Sequence, residues 1–505
     1  MKDACTRIAP AGLLKLASVV LWLALNPAFT LAAPEKKYCL ETELRPLPGS
    51  LDSTACFNSN SPEMVLAEGI LLSTFPPAGM KHPDAHLNYA FSGRFDLFSH
   101  HVAKAEKDDD DRVLYLGYMM GNPGNKKVRV QILNGASYLS QPDAPFITLP
   151  EICLNNEGKL FSGPGDRIAN DVMRGKKPDF LPKSISLEPG ETKLAFCLPV
   201  PVRKLRPALN GRSTLLKLKS SGPVYLASIA KFSKNGDGGA QPPSADWSEA
   251  LSNFDLSTPR DVAPTPPGHK GAIKYGRVAG VAHGTEWVAT VSDAPAKAKD
   301  DLKDLANDSA APGTLLHEDQ PNISKRSLLK PLEQRRYKIL TIPAPGKSFT
   351  YPISSVAGGT FGTGQVESAE MTVRYKDTAY QAHGNYASRY KLDFPLFNPY
   401  PEPMNLQVIF QSALKSDSAE PHLCFYENPP PRAFFRGTVL CRNGDSTTYW
   451  HLVQKQGDEG AKLAELTLLP GGTRKVSIEF FYPPDATPPQ EICIRTLPEH
   501  SDESE

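Results

Sequence analysis

Two stretches far apart in this chain carry the same β-forming signals in the same order. The first runs through Asn88-Tyr89-Ala90, Ser92-Gly93-Arg94-Phe95, and an apolar strand from Val113 to Met120 ending at Asn122-Pro123. It continues with the alternating Val128-Arg129-Val130-Gln131-Ile132 and the turn Leu187-Glu188-Pro189-Gly190-Glu191-Thr192-Lys193. The second runs through Asn385-Tyr386-Ala387, Ser388-Arg389-Tyr390, a strand ending at Asn398-Pro399, Leu406-Gln407-Val408-Ile409-Phe410, and Leu469-Pro470-Gly471-Gly472-Thr473-Arg474. From Asn-Pro to the proline of Pro-Gly the separations are 67 residues (Asn122 to Pro189) and 72 residues (Asn398 to Pro470). One tripeptide match is chance; an ordered series points to a repeated unit. Asn-Pro stops a strand and turns the chain, because proline presets φ and Asn or Gly tolerates the left-handed region. The period of two that follows puts Val128, Val130 and Ile132 on one face and Arg129 and Gln131 on the other, a half-buried antiparallel strand. The expected fold is all-β: tandem antiparallel, immunoglobulin-like β-sandwiches with long Pro-rich connections and little helix.

Composition agrees with that reading. The chain has 48 prolines in 505 residues, well above the usual share of roughly 5%. Proline removes a donor from helix interiors and sheet centres alike, which favours short strands joined by stiff connections. The expected organisation is an N-terminal signal peptide at 1–32, an extension at 33–86 packing on the first sandwich, a first sandwich at 87–255, and a Pro-rich linker at 256–274. A connecting β segment at 275–370 with a mobile polar excursion at 294–330 follows, then a second sandwich at 371–497 and an acidic disordered tail at 498–505. Within 275–370, Tyr275 to Thr290 reads as a strand pair broken at Gly284. Asn-Tyr-Ala to Asn-Pro spans 34 residues in the first copy and 13 in the second, which places an insertion of about 21 residues in the first copy. It includes the acidic run Ala105 to Asp111, read as a solvated loop because it lacks the Asp-x-Asp-x-Asp-Gly register of a calcium loop.

The N-terminal run has the form of a cleaved export signal. Lys2, Arg7 and Lys15 precede the apolar stretch Leu16 to Leu25, Asn26-Pro27 breaks it, and Thr30-Leu31-Ala32 supplies small residues for cleavage after about Ala32. The stretch is too short to span a bilayer, which takes roughly 20 residues, so the mature chain is expected in the periplasm or outside the cell without a transmembrane segment. Loss of Lys2, Arg7 and Lys15 against Asp3 turns the full-chain net charge of +1 into −1. With acids and bases interspersed, no surface tracks phosphates, and nucleic acid is excluded as a partner. In an oxidising compartment the local pairs Cys39–Cys56 and Cys424–Cys441 are natural disulfide candidates, with Cys153–Cys197 a longer closure. The alternative is that some or all of these are reduced, small buried hydrophobes.

Catalytic and metal-binding patterns are missing. There is no Gly-x-Ser-x-Gly, no His-Glu-x-x-His and no Cys/His set with zinc spacing. Ser327-Leu328-Leu329-Lys330 lacks a Lys-Thr-Gly companion, and Gly346-Lys347-Ser348 lacks the upstream glycine of a phosphate loop and reads as a turn. His82, His86, His100 and His101 cluster in a Pro-rich stretch and are read as exposed loop histidines. Trp247, Trp287 and Trp450 are read as core aromatics before a sugar-stacking groove. No catalytic residue, metal ligand or cofactor is assigned. Carboxylates for glycoside hydrolysis need only meet in space, and nothing in the sequence singles out a pair.

Five segments carry a resemblance: Tyr375 to Tyr380, Gly384-Asn385-Tyr386, Asn210 to Thr214, Tyr275 to Val281, and Tyr482 to Gln490. Together they resemble an exported cyanobacterial family catalogued as domain-of-unknown-function family 3370. That resemblance implies export into the envelope of a photosynthetic Gram-negative cell and transfers no catalytic residue. The expected role is non-enzymatic, binding or structural, toward an envelope protein or a glycan. The alternative is a polysaccharide-active hydrolase working through carboxylates; neither reading sets an oligomeric state.

Overall fold

The computed structural model describes residues 36–105, 107, 110–234, 236–269, 274–293, 339–382 and 384–498. The signal peptide, the excursion 294–330, the Ser327–Lys330 motif and all of the acidic tail beyond residue 498 lie outside these residues. The described chain is all-β, with several mainly antiparallel sheets and two α-helices, Pro164–Met173 and Ser244–Asn253. The strand Leu114–Gly121 is buried at every position, and in Val128–Leu139 the residues Val128, Val130 and Ile132 point inward while Arg129 and Gln131 face solvent.

The repeat is real, and its signature is a hydrogen-bonded asparagine corner. The Asn122 amide donates to the carbonyls of Lys126, Leu187 and Glu188, and its Oδ1 accepts from the Gly124 N–H. The Asn398 amide donates to Glu402 and Leu468, and its Oδ1 accepts from the Tyr400 N–H. Backbone bonds match as well: Asn122 N–H to Glu191 and Gly190 N–H to Asn122, Asn398 N–H to Gly472 and Gly471 N–H to Asn398. Each asparagine thus ties the end of its strand to the Pro-Gly turn, satisfying backbone groups that a turn leaves unpaired. Registers agree too. Gly121 and Phe397 face Thr192 and Thr473, and Val128 and Met404 face Leu187 and Leu468.

The frame extends to a five-strand order. In the first lobe Ser184–Leu187, Val128–Leu139, Leu209–Phe232 and Phe91–Lys104 pair antiparallel in turn, and Ala55–Ser59 joins parallel. In the second lobe Asp458–Leu468, Met404–Ser412, Gln490–Thr496 and Ser348–Ile353 do the same, and Glu43–Leu44 joins parallel. Phe91–Lys104 therefore corresponds to Ser348–Ile353, which corrects the expected insertion. The connection to the asparagine-ended strand is 105–113 in the first lobe and 354–388 in the second, so the longer excursion belongs to the second copy. Asn88-Tyr89-Ala90 and Asn385-Tyr386-Ala387 precede non-equivalent strands, and that match is coincidental.

Strands also cross between lobes. Ala279–His283 and Glu286–Thr290 are separate strands broken at Gly284, as expected, but they do not pair with each other. The first lies between Ala55–Ser59 and Ala369–Arg374, the second runs parallel to Arg389–Phe397. Ile152–Leu154 leaves the first lobe to pair with Ser446–Lys455 of the second. The N-terminal extension is corrected likewise: Lys37–Glu41 pairs with His422–Tyr426 and Glu43–Leu44 with Ser348–Ile353, both in the second lobe. Only from Ala55 onward does it build the first lobe's sheet.

Each lobe has its own core. The first gathers Phe57, Phe91, Phe95, Tyr118 and Leu216; the second gathers Phe349, Tyr390, Phe410, Phe435 and Phe480. Trp247 of Ser244–Asn253 caps the first lobe, fully buried over Gly117, where a Cβ would lie 2.2 Å from the indole ring. Only glycine fits there without displacing the ring. The helix Pro164–Met173 wedges between the lobes, burying Ile168, Ala169 and Val172 with Phe98 and Leu215 of one lobe and Phe481 of the other. Proline at its first position presets φ and loses no needed donor.

Candidate ligand pocket between the lobes

Where the first turn of that helix meets both lobes, the chain leaves a pocket of about 200 Å³. The first lobe contributes Glu63, His100, Ser213 and Arg277, and the second contributes Tyr386 and Asp485, with Phe146 and Gly165 completing the wall. His100 and Ser213 are directly opposite on paired strands, and Ser213 Oγ lies 2.8 Å from His100 Nδ1. His100 Nε2 is 3.4 Å from Glu63 Oε1, and the other Glu63 oxygen is paired with Arg277. Arg277 also faces Asp261 at 3.8 Å. These residues form one chain of polar contacts along the first-lobe wall.

The opposite wall is unfinished. Both carboxylate oxygens of Asp485 are buried, and neither accepts a hydrogen bond from another residue; the one backbone donor that acts on the carboxylate is its own N–H. The nearest cation is the Arg436 guanidinium at 3.4 Å, which also packs over the Phe146 ring. A Cβ on Gly165 would sit 3.0 Å from Asp485 Oδ1, so glycine lets the carboxylate approach the start of the helix. Behind it Asp166 is fully buried, accepting from the Ser162 N–H at 2.8 Å and facing His451 Nε2 at 2.7 Å.

The two wall carboxylates are pushed apart electrostatically. Burial raises Asp485 to about 6, with the nearby Asp166 charge adding to the rise and Arg436 opposing it. Burial would raise Glu63 too, but the His100 hydrogen bond and the Arg277 charge outweigh it and hold Glu63 below its usual range. One wall therefore carries a persistent carboxylate and the other a carboxyl poised near neutrality.

Four of the five segments that carry the family resemblance each supply a pocket residue: Ser213, Arg277, Tyr386 and Asp485. The chain belongs to the DUF3370 family. The family model, described as a protein of unknown function, matches residues 42–310 and 329–496. No curated protein matches the chain.

A larger cavity of about 570 Å³ opens beside Glu41 and Arg45. Its acids already have partners: Glu41 with Lys347, Glu43 with Arg45, Asp293 with the Thr341 N–H, and Glu420 with His422. Nothing there matches the open acceptors of Asp485.

The expected local disulfides do not form. The chain joins Cys39 to Cys424, 385 residues away, because the Cys39 strand crosses to the second lobe. Cys56 is buried in the first lobe opposite Asp96 and Ala282, and Cys441 is buried in the second opposite Thr448. Cys153 and Cys197 are free, half-buried and in different lobes. Burial pushes the Cys441 thiol up to about 11 and the Cys197 thiol up to about 12.

The histidine reading is corrected in part. His101 is fully buried between Ser59 Oγ and the Pro62 carbonyl, and His86 is buried against Ser73 Oγ. His82 lies 3.4 Å from Asp255, and only His100 reaches the pocket. The tryptophans are core residues: Trp247 and Trp287 are buried and donate to the Pro242 and Pro48 carbonyls, and the half-buried Trp450 donates to Leu463. Gly346-Lys347 is a turn that presents Lys347 to Glu41. Sequence reasoning missed Glu63, Arg277 and Asp485 as a set because they lie on three connecting segments that meet only in the folded chain.

Proposed function

We propose that the protein is an exported, non-enzymatic binding protein whose inter-lobe pocket holds one sugar unit of a glycan. The observation that carries this reading is Asp485, whose two buried oxygens accept no hydrogen bond from another residue and have only the Arg436 guanidinium at 3.4 Å for company in a pocket between the two lobes. Buried acceptors without donors are costly, and a ligand hydroxyl supplies what they lack. The opposing pairs of acid and guanidinium, Glu63 with Arg277 and Asp485 with Arg436, leave no strong net charge for an ionic ligand. Hydroxyls serve such a lining well, since each both donates and accepts. Phe146, 51% exposed beside the pocket, offers an aromatic face. The volume suits one small unit instead of a drug-sized ligand. The signal-like N terminus and the Cys39–Cys424 bond support export, because disulfides persist in oxidising compartments.

One observation favours a second reading, hydrolysis of a glycosidic bond: a raised carboxyl and an ionised carboxylate share the pocket, the pairing that acid and base roles require. A single experiment separates the two. Neutral oligosaccharides are titrated calorimetrically into wild type and Asp485→Asn, and the same mixtures are assayed for new reducing ends. Saturable binding weakened in the variant, without new reducing ends, supports the binding role. New reducing ends that vanish in both Asp485→Asn and Glu63→Gln establish the hydrolase instead. No binding to any neutral glycan sinks both.

A further inference from the structure

The strands Lys37–Glu41 and His422–Tyr426 form a two-stranded antiparallel ribbon with two unlike faces. Side chains alternate along each strand, so Tyr38, Leu40, Leu423 and Phe425 share one face and pack with Phe361 and Ala413. The other face carries Cys39, Glu41, His422 and Cys424. Cys39 lies directly opposite Cys424, and Glu41 directly opposite His422. The Cys39 Sγ, the Cys424 Sγ and a His422 ring nitrogen all lie within 4.8 Å of one another, with Cys39 exposed and the other two half-buried. Glu420 approaches His422 Nε2 at 3.4 Å, and Glu41 is engaged by Lys347 at 3.0 Å.

Two sulfurs and an imidazole in this arrangement are a borderline-soft donor set of the kind Zn²⁺ takes, here occupied by the sulfur–sulfur bond. We propose that reductive opening of Cys39–Cys424 converts this face into a Zn²⁺ site held by Cys39, Cys424 and His422, with water in the fourth position. The step balances with a dithiol reductant: it gives two electrons and two protons, the S–S bond breaks to two thiols, and the reductant becomes a disulfide. Metal binding then releases the two thiol protons to solvent as the thiolates coordinate. Tetrahedral Zn–S bonds of about 2.3 Å place two sulfurs roughly 3.8 Å apart, a separation that directly opposed strand positions reach without a new backbone register. The ribbon survives opening of the bond, since its five backbone pairs and its apolar face remain. The site is separate from the inter-lobe pocket and does not depend on that reading.

The test uses the full chain. It is reduced with a phosphine, desalted under argon and titrated with Co²⁺ as the spectroscopic probe, then with Zn²⁺ as competitor. The expected result is one equivalent of Co²⁺ with thiolate charge-transfer and tetrahedral d–d bands, displaced by Zn²⁺ and absent from the oxidised protein. The Cys39→Ser/Cys424→Ser variant retains the other five mature-chain thiols and should show no such bands. His422→Ala, which leaves both thiols in place, should weaken binding by no less than the roughly 10–100-fold that loss of a mere supporting residue costs. Equal binding by oxidised and reduced protein, bands that persist in the double variant, or no loss in a folded His422→Ala would each overturn the proposal.

Discussion

The two lobes share one frame and finish it differently. In the first, the long strand Leu209–Phe232 serves both sheets, pairing with Phe91–Lys104 and Val128–Leu139 along its first part and with Leu114–Gly121 along its second. Trp247 closes that lobe from above. The second has a shorter counterpart, Gln490–Thr496, and its outer sheet is completed by the hairpin Ala433–Asn443 and Ser446–Lys455. The N-terminal strand Lys37–Glu41 is then fastened to its strand His422–Tyr426 by a disulfide. The asparagine corner and the strand order around it define the unit, while the closing elements differ from lobe to lobe. It also explains the pocket: each lobe lends strands to the other, and the connecting segments converge at the seam.

Buried ionisable groups differ between the lobes, which gives the largest expected contrast. In the first, burial lowers His86 to about 4 and His101 to about 3. These stay neutral in the fold but gain protons on unfolding below about 6.5, so their stability contribution is full above that pH and lost as it falls toward 3. In the second, burial raises Glu367 and Glu491 to about 8, so both remain protonated in the fold when the unfolded chain would ionise near 4.5. Their contribution is full below about 4.5 and lost as pH rises toward 8. At about 1.4 kcal/mol per pKa unit, each lobe should shift by several kcal/mol. Hydrogen-exchange protection factors from pH 4.5 to 7.5, corrected for intrinsic rates, should rise with pH in the first lobe and fall in the second. Parallel trends would break the contrast.

The corners are expected to behave alike. Asn122→Ala and Asn398→Ala each strand several backbone groups and should cost about 3–5 kcal/mol, within about 1 kcal/mol of one another. Urea unfolding of the two variants measures this, and a gap above about 2 kcal/mol would undo the equivalence. The disulfide belongs to one lobe only. Cys424→Ser should cost about 2–4 kcal/mol, with faster exchange confined to the ribbon and the second lobe. Equal loosening of the first lobe would show that the bond braces the whole chain.

The smallest contrast lies five residues before each corner. Gly117→Ala drives a methyl into Trp247 and should cost about 1–3 kcal/mol. Its counterpart Asp393 faces Ser477 Oγ at 2.6 Å and Lys475 at 3.5 Å near the surface, so Asp393→Ala should stay within about 1 kcal/mol. Thermal midpoints of the two variants would sharpen the point that the Trp247 cap is private to the first lobe.

The sequence by itself determined what depends on neighbours a few residues away. Alternation assigned Val128, Val130 and Ile132 to the core face, and Asn-Pro and Pro-Gly placed both corners, because strand period and turn dihedrals are local properties. The Tyr275 to Thr290 run broke at Gly284 for the same reason. Only the tertiary structure decided which strands meet. Cys39 found Cys424 instead of Cys56, Ser348–Ile353 took the place of Phe91–Lys104, His101 went inside, and Glu63 and Asp485 came to line one pocket. Pairing across a sheet is fixed by register and burial between segments hundreds of residues apart, and no local pattern encodes which partner wins.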